Sequence, residues 1–239
     1  MKKSTLQTLL LVLTLTLVAL PAFASTALVW ATGNQGAGTA GVAAYIQRLG
    51  CFTQVDAVDA DLVPLSTLQN YDAVLYFSNS SGSQDPTAIG NVLADYADTG
   101  KRLVLATFAW AEQGSNTLGG RLITQGIAPL LANGVSLYTP VTMAGNDGSC
   151  YFTGVNSVSG YYHDNVIASS GAVVHGTWSD GMPLLADKAN VVGIDLFPDD
   201  YFGNIGGDYA QLFANAMCCG TVPVPTHTTS WGQVKALYH

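Results

Sequence analysis

Charge is what this sequence has least of. Only 10% of its 239 residues are charged, and Lys and Arg together number 8 against 16 acids. Glutamate is nearly absent: Glu112 stands alone among 15 aspartates. A surface so poor in cations repels phosphate backbones, which excludes nucleic acid as a partner. Aspartate favours turns and caps, so the bias points to tight loops rather than long charged helices. There is no G-x-S-x-G, the turn that presents a serine nucleophile. There is no C-x-x-C either, so the cysteines lack the spacing of a zinc site. The apolar run Leu9 to Leu20 covers 12 residues and is broken at Thr14 and Thr16. A membrane-spanning helix needs ~20.

That short run has another use. Lys2 and Lys3 precede it, and Pro21 with Ala22-Phe23-Ala24 follows, an A-x-A site with small residues where signal peptidase needs them. Residues 1–24 therefore read as a cleavable secretory signal, with Ser25 as the new N-terminus and no transmembrane segment in the mature chain. Removing the signal leaves six basic residues against sixteen acids, a net charge of −10. An even set of cysteines (Cys51, Cys150, Cys218 and Cys219) in an exported chain reads first as structural disulfides. The expected location is the periplasm, the cell surface or the medium.

The remaining chain alternates strands and helices. Ala27–Ala31 is a buried strand, Ala40–Leu49 a helix stopped by Gly50, and Phe52–Val58 a second strand. "YDAVLYFS" (Tyr71 to Ser78) is a third. Asp85 caps a helix that opens on Pro86 and runs to about Asp98, before "RLVLATFAW". That order specifies a parallel sheet covered on both faces. A further helix is expected over Gly119 to Leu131. From 134 to 197 the texture turns to short β runs, ending in a three-strand meander with turns at Asp180-Gly181 and Lys188-Ala189-Asn190. Asp208 to Met217 is a last helix. Residues 25–220 thus form one α/β domain. Residues 221–239 are a Pro/Thr linker ("VPVPTHTTS") and a short segment with Trp231, Val234, Leu237 and Tyr238 at helix-like spacing.

Gly36-Ala37-Gly38-Thr39-Ala40-Gly41 spells G-x-G-x-x-G between a strand and a helix, and Asp59 lies 18 residues beyond Gly41. That context fits a dinucleotide fingerprint. Asn34 and Gln35 lengthen the turn, however, and an exported chain leaves the compartment that holds NAD. The favoured reading is a flexible turn with no cofactor, although the spare N–H groups of the helix end suit an anion or a sugar hydroxyl.

With this order assembled, the chain resembles the class I glutamine amidotransferase-like superfamily, especially its exported ThuA-like members. The resemblance rests on the first strand with its glycine loop, "LQNYDAVLYFSNSSG", "IGNVLADYADTGKRLVLATFAWA" and "GMPLLADKANVVGIDLFPDD…GDYAQLFANAMCC", and covers residues 27–219. It implies a three-layer, flavodoxin-like, mostly parallel sheet with a β-rich segment around 134–197. In catalytic members a Cys stands on a G-x-C-x-G turn. Here that turn is Ala106-Thr107-Phe108-Ala109-Trp110, without thiol or flanking glycine. The His and Glu partners have no match either, since Asp195 falls on a strand and His175 on the meander. ThuA-like relatives are linked to carbohydrate processes, which the resemblance carries over as an expectation. A flavodoxin-like layering sets the first and last helices side by side, so Cys51 is expected to pair with Cys218 or Cys219, and Cys150 with the other. The tail resembles a recurring Ser-Trp-Gly-x-Val/Ile-Lys-x-Leu-Tyr ending of exported bacterial proteins. It is either a sorting or attachment signal for an envelope partner, or an end that packs Trp231 on the domain.

Open parallel sheets bind ligands at the carboxyl ends of their strands. The loops there place Asn34, Ser78, Asn79, Trp110 and Glu112 around one crevice for a small molecule or carbohydrate. Trp110 either stacks on a sugar ring or is a core edge residue. Asp56, Asp59 and Asp61, or Asn146 with Asp147, or Asp199, Asp200 and Asp208, offer oxygen ligands for calcium, but turn chemistry explains each more simply and no metal site is assigned. His163 neighbours Asp164, yet strand neighbours point to opposite faces, which argues against a dyad. The leading reading is a non-catalytic module that binds a ligand or partner. The alternatives are a hydrolase with a non-cysteine, metal-assisted site, and a purely structural surface protein. Two or more acids or His within ~5 Å at the strand ends would favour the enzyme.

Overall fold

Alternate residues of the first strand, β1 (Thr26–Thr32), enter two different cores. Ala27, Val29 and Ala31 join one apolar cluster, and Leu28 and Trp30 join the other. That is the period of two expected for a strand covered on both faces. A computed structural model describes residues 25–33, 37–79, 85–112, 116–200 and 203–220. Residues 1–24, read above as a signal, and 221–239, read as a linker and tail, lie outside the described residues.

After β1 come α1 (Ala37–Leu49), β2 (Gln54–Asp59), the single turn α2 (Leu65–Leu68), β3 (Ala73–Ser78), α3 (Pro86–Ala97) and β4 (Arg102–Ala106). Asp85 caps α3 by accepting the Ala88 N–H at 2.9 Å, with Pro86 in the first turn. Then follow α4 (Gly120–Thr124), β5 (Leu130–Ala132), β6 (Leu137–Asn146), a 3-10 turn at Cys150–Phe152, β7 (Val158–His163) and β8 (Val166–Ala168). The meander β9 (Val173–Trp178), β10 (Pro183–Lys188) and β11 (Val191–Ile194) leads to β12 (Ile205–Gly207) and α5 (Tyr209–Cys218).

The main sheet has ten strands in the order β12-β7-β6-β9-β10-β11-β4-β3-β1-β2. Its half β2-β1-β3-β4-β11 is wholly parallel, in the strand order of a flavodoxin-like fold. The meander's last strand therefore completes the parallel sheet, while β10 turns back antiparallel and starts the β-rich half. Helices α1 and α5 cover one face through Val42, Ile46, Leu212, Phe213 and Met217. Helices α2, α3 and α4 cover the other through Leu68, Ile89, Leu93 and Leu122. Two disulfides close the first of these layers, Cys51–Cys218 and Cys150–Cys219, with Cα–Cα distances of 5.9 and 5.8 Å.

The helix expected over Gly119–Leu131 is much shorter. Gly126 adopts φ +63°, a left-handed cap, and the N–H groups of Ile127 and Ala128 both turn back to the Leu122 carbonyl. Pro129 has no N–H to continue a helix, so Leu130–Ala132 pairs antiparallel with β8 instead. Among the described residues, no helix is long and apolar enough to cross a membrane.

Candidate functional site

The parallel strands end together at Thr32, Ser78 and Ala106, with Asp195 directly after β11. The Phe108 N–H donates to the Ser78 carbonyl at 3.2 Å, which fastens the turn after β4 to β3. Phe108, the middle residue of that turn, is 6% exposed. Its ring packs against Phe197, Tyr162 and Tyr138 at centroid distances of 5.3, 5.8 and 6.3 Å. Tyr138 and Tyr162 meet edge to face at 5.7 Å, and Tyr161 joins Tyr162 at 5.2 Å. Tyr138 is 49% exposed, so the cluster reaches from the core to solvent. All four cysteines are in disulfides, so no thiol is available there for attack.

Beneath the same turn lies a buried acid pair that sequence reasoning missed. Asp164 follows β7, Asp195 follows β11, and neither is exposed at all. The Asp164 N–H donates to Asp195 Oδ1 at 2.6 Å, and the Thr107 hydroxyl donates to the same oxygen at 3.1 Å. Asp164 accepts the Trp110 N–H at 3.2 Å through Oδ2 and the Ser136 hydroxyl through Oδ1. Asp195 Oδ2 has no partner. Burial raises the Asp164 pKa to about 7, although Ser136 and Trp110 pull it down. Burial, then the charge of Asp164, lifts Asp195 well above the carboxylate range. Asp164 has donors on both oxygens and Asp195 on only one, so Asp164 carries the charge and Asp195 keeps its proton. The two residues lie 31 positions apart in sequence, and no local motif announces them.

His163 does not pair with its neighbour Asp164. Its Nε2 meets Asp180 at 3.0 Å across the meander. His175 sits between Asp147 at Nδ1, 2.7 Å, and Asp187 at Nε2, 3.2 Å. The two carboxylates bind opposite ring nitrogens, which is the geometry of a clamp rather than of a chelate. Burial opposes charge on His175, but both carboxylates raise its pKa.

Of the crevice residues read from the sequence, Asn34 lies outside the described residues. Ser78 is fully buried at the end of β3. Asn79 donates its N–H to the Thr32 carbonyl at 2.9 Å. Trp110 is 1% exposed and belongs to the α3-side core, while Glu112 is exposed. The structure thus brings Ser78, Asn79 and the Trp110 turn to one edge. The aspartates weighed for calcium serve local structure. Asp56 accepts from Tyr71 at 2.8 Å, Asp200 from Tyr209 at 2.9 Å, and Asp208 from the Asn156 N–H at 2.8 Å. Among the described residues, no three His, Cys, Asp or Glu form a set able to hold a metal ion.

Within the glycine run, Gly38 has a specific steric reason. A Cβ at Gly38 would overlap the Asp199 carboxylate, which lies against the first turn of α1. An acid there suits the positive end of a helix. Where a dinucleotide would set its pyrophosphate, the chain has placed one of its own carboxylates.

No protein-family model matches the sequence, and no curated protein does. Solved structures match in fold. A cytoplasmic protein of Salmonella typhimurium superposes with a TM-score of 0.61 at 13% identity, covering 80% of this chain and 97% of that one. A second cytoplasmic protein of Salmonella typhimurium LT2 gives 0.59 at 13% identity, covering 80% and 98%. A ThuA-like protein of Bacteroides uniformis gives 0.57 at 13% identity, covering 83% and 93%. The chain therefore has the α/β, ThuA-like and amidotransferase-like fold that its sequence resembles.

Proposed function

We propose that this protein is an exported, non-catalytic member of the amidotransferase-like fold that binds a small neutral ligand of carbohydrate type at the carboxyl edge of its sheet. The observation that carries this is Phe108. An aromatic ring stands where the fold's enzymes carry a nucleophile, and it continues into a half-exposed group of tyrosines. Aromatic faces offer a sugar ring a flat apolar surface, while tyrosine hydroxyls keep polar atoms at its rim. Of the residues read from the sequence for this edge, Asn79 and Glu112 serve as its hydrogen-bonding set, since Ser78 and Trp110 are buried. Export is supported by the leader-like residues 1–24 and by two disulfides, which persist in oxidising compartments. The cytoplasmic relatives share the fold, and a fold does not set the compartment. The tail 221–239 serves as the handle for an envelope or sorting partner.

The test is calorimetric titration of the mature protein with neutral oligosaccharides, beside Tyr138→Ala. Stacking of this kind is worth about 1 kcal/mol, so the variant should bind several-fold more weakly with unchanged melting. Equal affinities, or no binding of any saccharide by the wild type, would sink the reading.

A second reading is favoured by one observation. Asp164 and Asp195 converge at the strand ends, the cluster expected of a non-cysteine hydrolase. Their complete burial sets them beneath the turn rather than at a surface that water and substrate reach. Hydrolysis of glycosides or esters that disappears in Asp195→Asn would establish that alternative.

A further inference from the structure

Where β6 ends, the chain turns back over β9 and is fastened there around one histidine. His175 lies on β9, Asp147 directly after β6, and Asp187 on β10. His175 Nδ1 meets Asp147 Oδ2 at 2.7 Å. Its Nε2 is buried and stands 3.2 Å from Asp187 Oδ1, an ion-pair contact rather than a well-aligned hydrogen bond. The His175 side chain is only 13% exposed, so water replaces these partners poorly. The Asp147 N–H donates to the His175 carbonyl at 2.9 Å, and the Ser149 N–H donates to Asp147 Oδ1 at 3.0 Å. On the 3-10 turn, Tyr151 meets the imidazole edge to face at 5.0 Å and donates to Asp187 Oδ2 at 2.7 Å. Phe152 lies against Gly176, where a Cβ would overlap its ring. Residues 147–152 are thus seated on β9 by contacts that centre on His175.

We infer that His175 is a proton-operated latch: as an imidazolium it holds residues 147–152 on the β-rich half of the sheet, and as a neutral ring it lets them loosen. Only an imidazolium has an N–H on both nitrogens. A neutral ring has one, so either tautomer turns a lone pair toward a carboxylate oxygen. Asp147 and Asp187 are the charges that act on the ring. Burial opposes the proton on His175, but the two carboxylates outweigh burial and raise its pKa above 6.5. Tyr151, the other titratable group against the ring, is pushed up to about 12 by burial and then by Asp187, with Arg102 on β4 acting the other way. It therefore keeps its proton at neutral pH. Asp147 is lowered to about 2 by the Ser149 N–H and His175, against the effect of burial. The latch's contribution is therefore complete below pH 6.5, where the unfolded histidine is protonated too. It is lost as pH rises through the higher folded value. The latch involves no ligand, so it stands apart from the binding function proposed above.

The experiment is amide hydrogen exchange at pH 6 and pH 9, corrected for the intrinsic rate, beside an NMR titration of the histidine rings. The proteins are the wild type, Asp147→Asn and His175→Gln. In the wild type, His175 should titrate above 6.5. Residues 147–152 should lose about tenfold in protection for each pH unit by which that midpoint exceeds 6.5, and β1 and β3 should lose less. Asp147→Asn keeps Oδ1 for the Ser149 N–H and turns an amide NH2 toward Nδ1. A neutral ring is then satisfied on both sides, so protection of 147–152 should be the same at both pH values. His175→Gln cannot donate on opposite sides and should show the low protection at both. A wild-type His175 midpoint at or below 6.5 overturns the inference. So does wild-type protection of 147–152 that is equal at the two pH values, or a loss in Asp147→Asn as large as in the wild type.

Discussion

Asparagine at position 195 is expected to raise the melting temperature at pH 8 and to remove much of the fall in stability between pH 5 and pH 8. In the folded protein Asp164 titrates at about 7 and Asp195 well above the carboxylate range. Both titrate near 3.9 once unfolded. The unfolded chain thus releases these two protons first as pH rises, so the pair's contribution to stability is greatest at low pH and falls progressively from about pH 4 upward. For Asp164 the loss is complete near pH 7; for Asp195 it continues beyond. Asp195→Asn removes that group's share of the loss, so its melting temperature should exceed the wild type's by more at pH 8 than at pH 5. The charge of Asp180 faces the pair and raises Asp195 further, and His163 Nε2 lies at hydrogen-bond distance from Asp180 Oδ2. Asparagine keeps the Oδ1 acceptor for Thr107 and for the Asp164 N–H, and it cannot ionise. Asp164→Asn is the opposite case, because both Asp164 oxygens accept donors and an amide NH2 would face one of them. That variant should melt lower at every pH. Melting curves from pH 5 to 9 that run parallel for wild type and Asp195→Asn would refute the proton assignment.

The contrast between these two aspartates shows where sequence reasoning stops. The parallel half was readable because each element carries its own signal. The strands β1, β3 and β4 are continuous apolar runs, Asp85-Pro86 opens α3, and glycines follow α1 and α3. The layer order set Cys51 beside the Cys218-Cys219 pair, since the ends of the first and last helices share one rim, but left open which of the two it meets. The stretch from 119 to 132 was misread because Ile127 to Leu131 continues an apolar pattern, while backbone geometry at Gly126 and Pro129 decides the outcome. The candidate edge was half legible. Phe108 is visible as a departure from the G-x-C-x-G turn, and the strand-end rule locates Ser78 and the Trp110 turn. Asp164 and Asp195 were not legible, because they follow β7 and β11, two strands that β6, β9 and β10 separate in the sheet order. Tyr138 and Tyr162 likewise sit on β6 and β7, whose register sets them over Phe108. Gly38 looked like part of a nucleotide fingerprint, and its steric partner Asp199 lies at the other end of the sequence.

Reduction of the two disulfides is expected to lower the melting temperature by roughly 10–20 °C, the largest effect of any single treatment. Cys51–Cys218 closes a loop with a sequence separation of 167, and Cys150–Cys219 one of 69. Chain entropy alone assigns a loop of that larger size about 5 kcal/mol, near the upper end of measured values. Whole-domain stability is only about 5–15 kcal/mol, so loss of the bonds removes a large share of it. The two bonds act on different parts. The first joins the exits of α1 and α5, whose apolar faces already meet through Ile46 and Met217. Cys51→Ser with Cys218→Ser should therefore leave a folded, less stable domain. The second ties the 3-10 turn at Cys150 to Cys219, where Arg102 also hydrogen-bonds the Cys219 carbonyl. That turn carries Tyr151 and Phe152 into the core under α1 and α5, so Cys150→Ser with Cys219→Ser should loosen the β-rich half first. Amide hydrogen exchange would show this as earlier opening of β6, β7 and β9 than of β1 and β3. A melting temperature that reductant leaves unchanged, with four free thiols counted afterwards, would show that packing alone holds the domain. The support that these bonds lend to export would then fall with them.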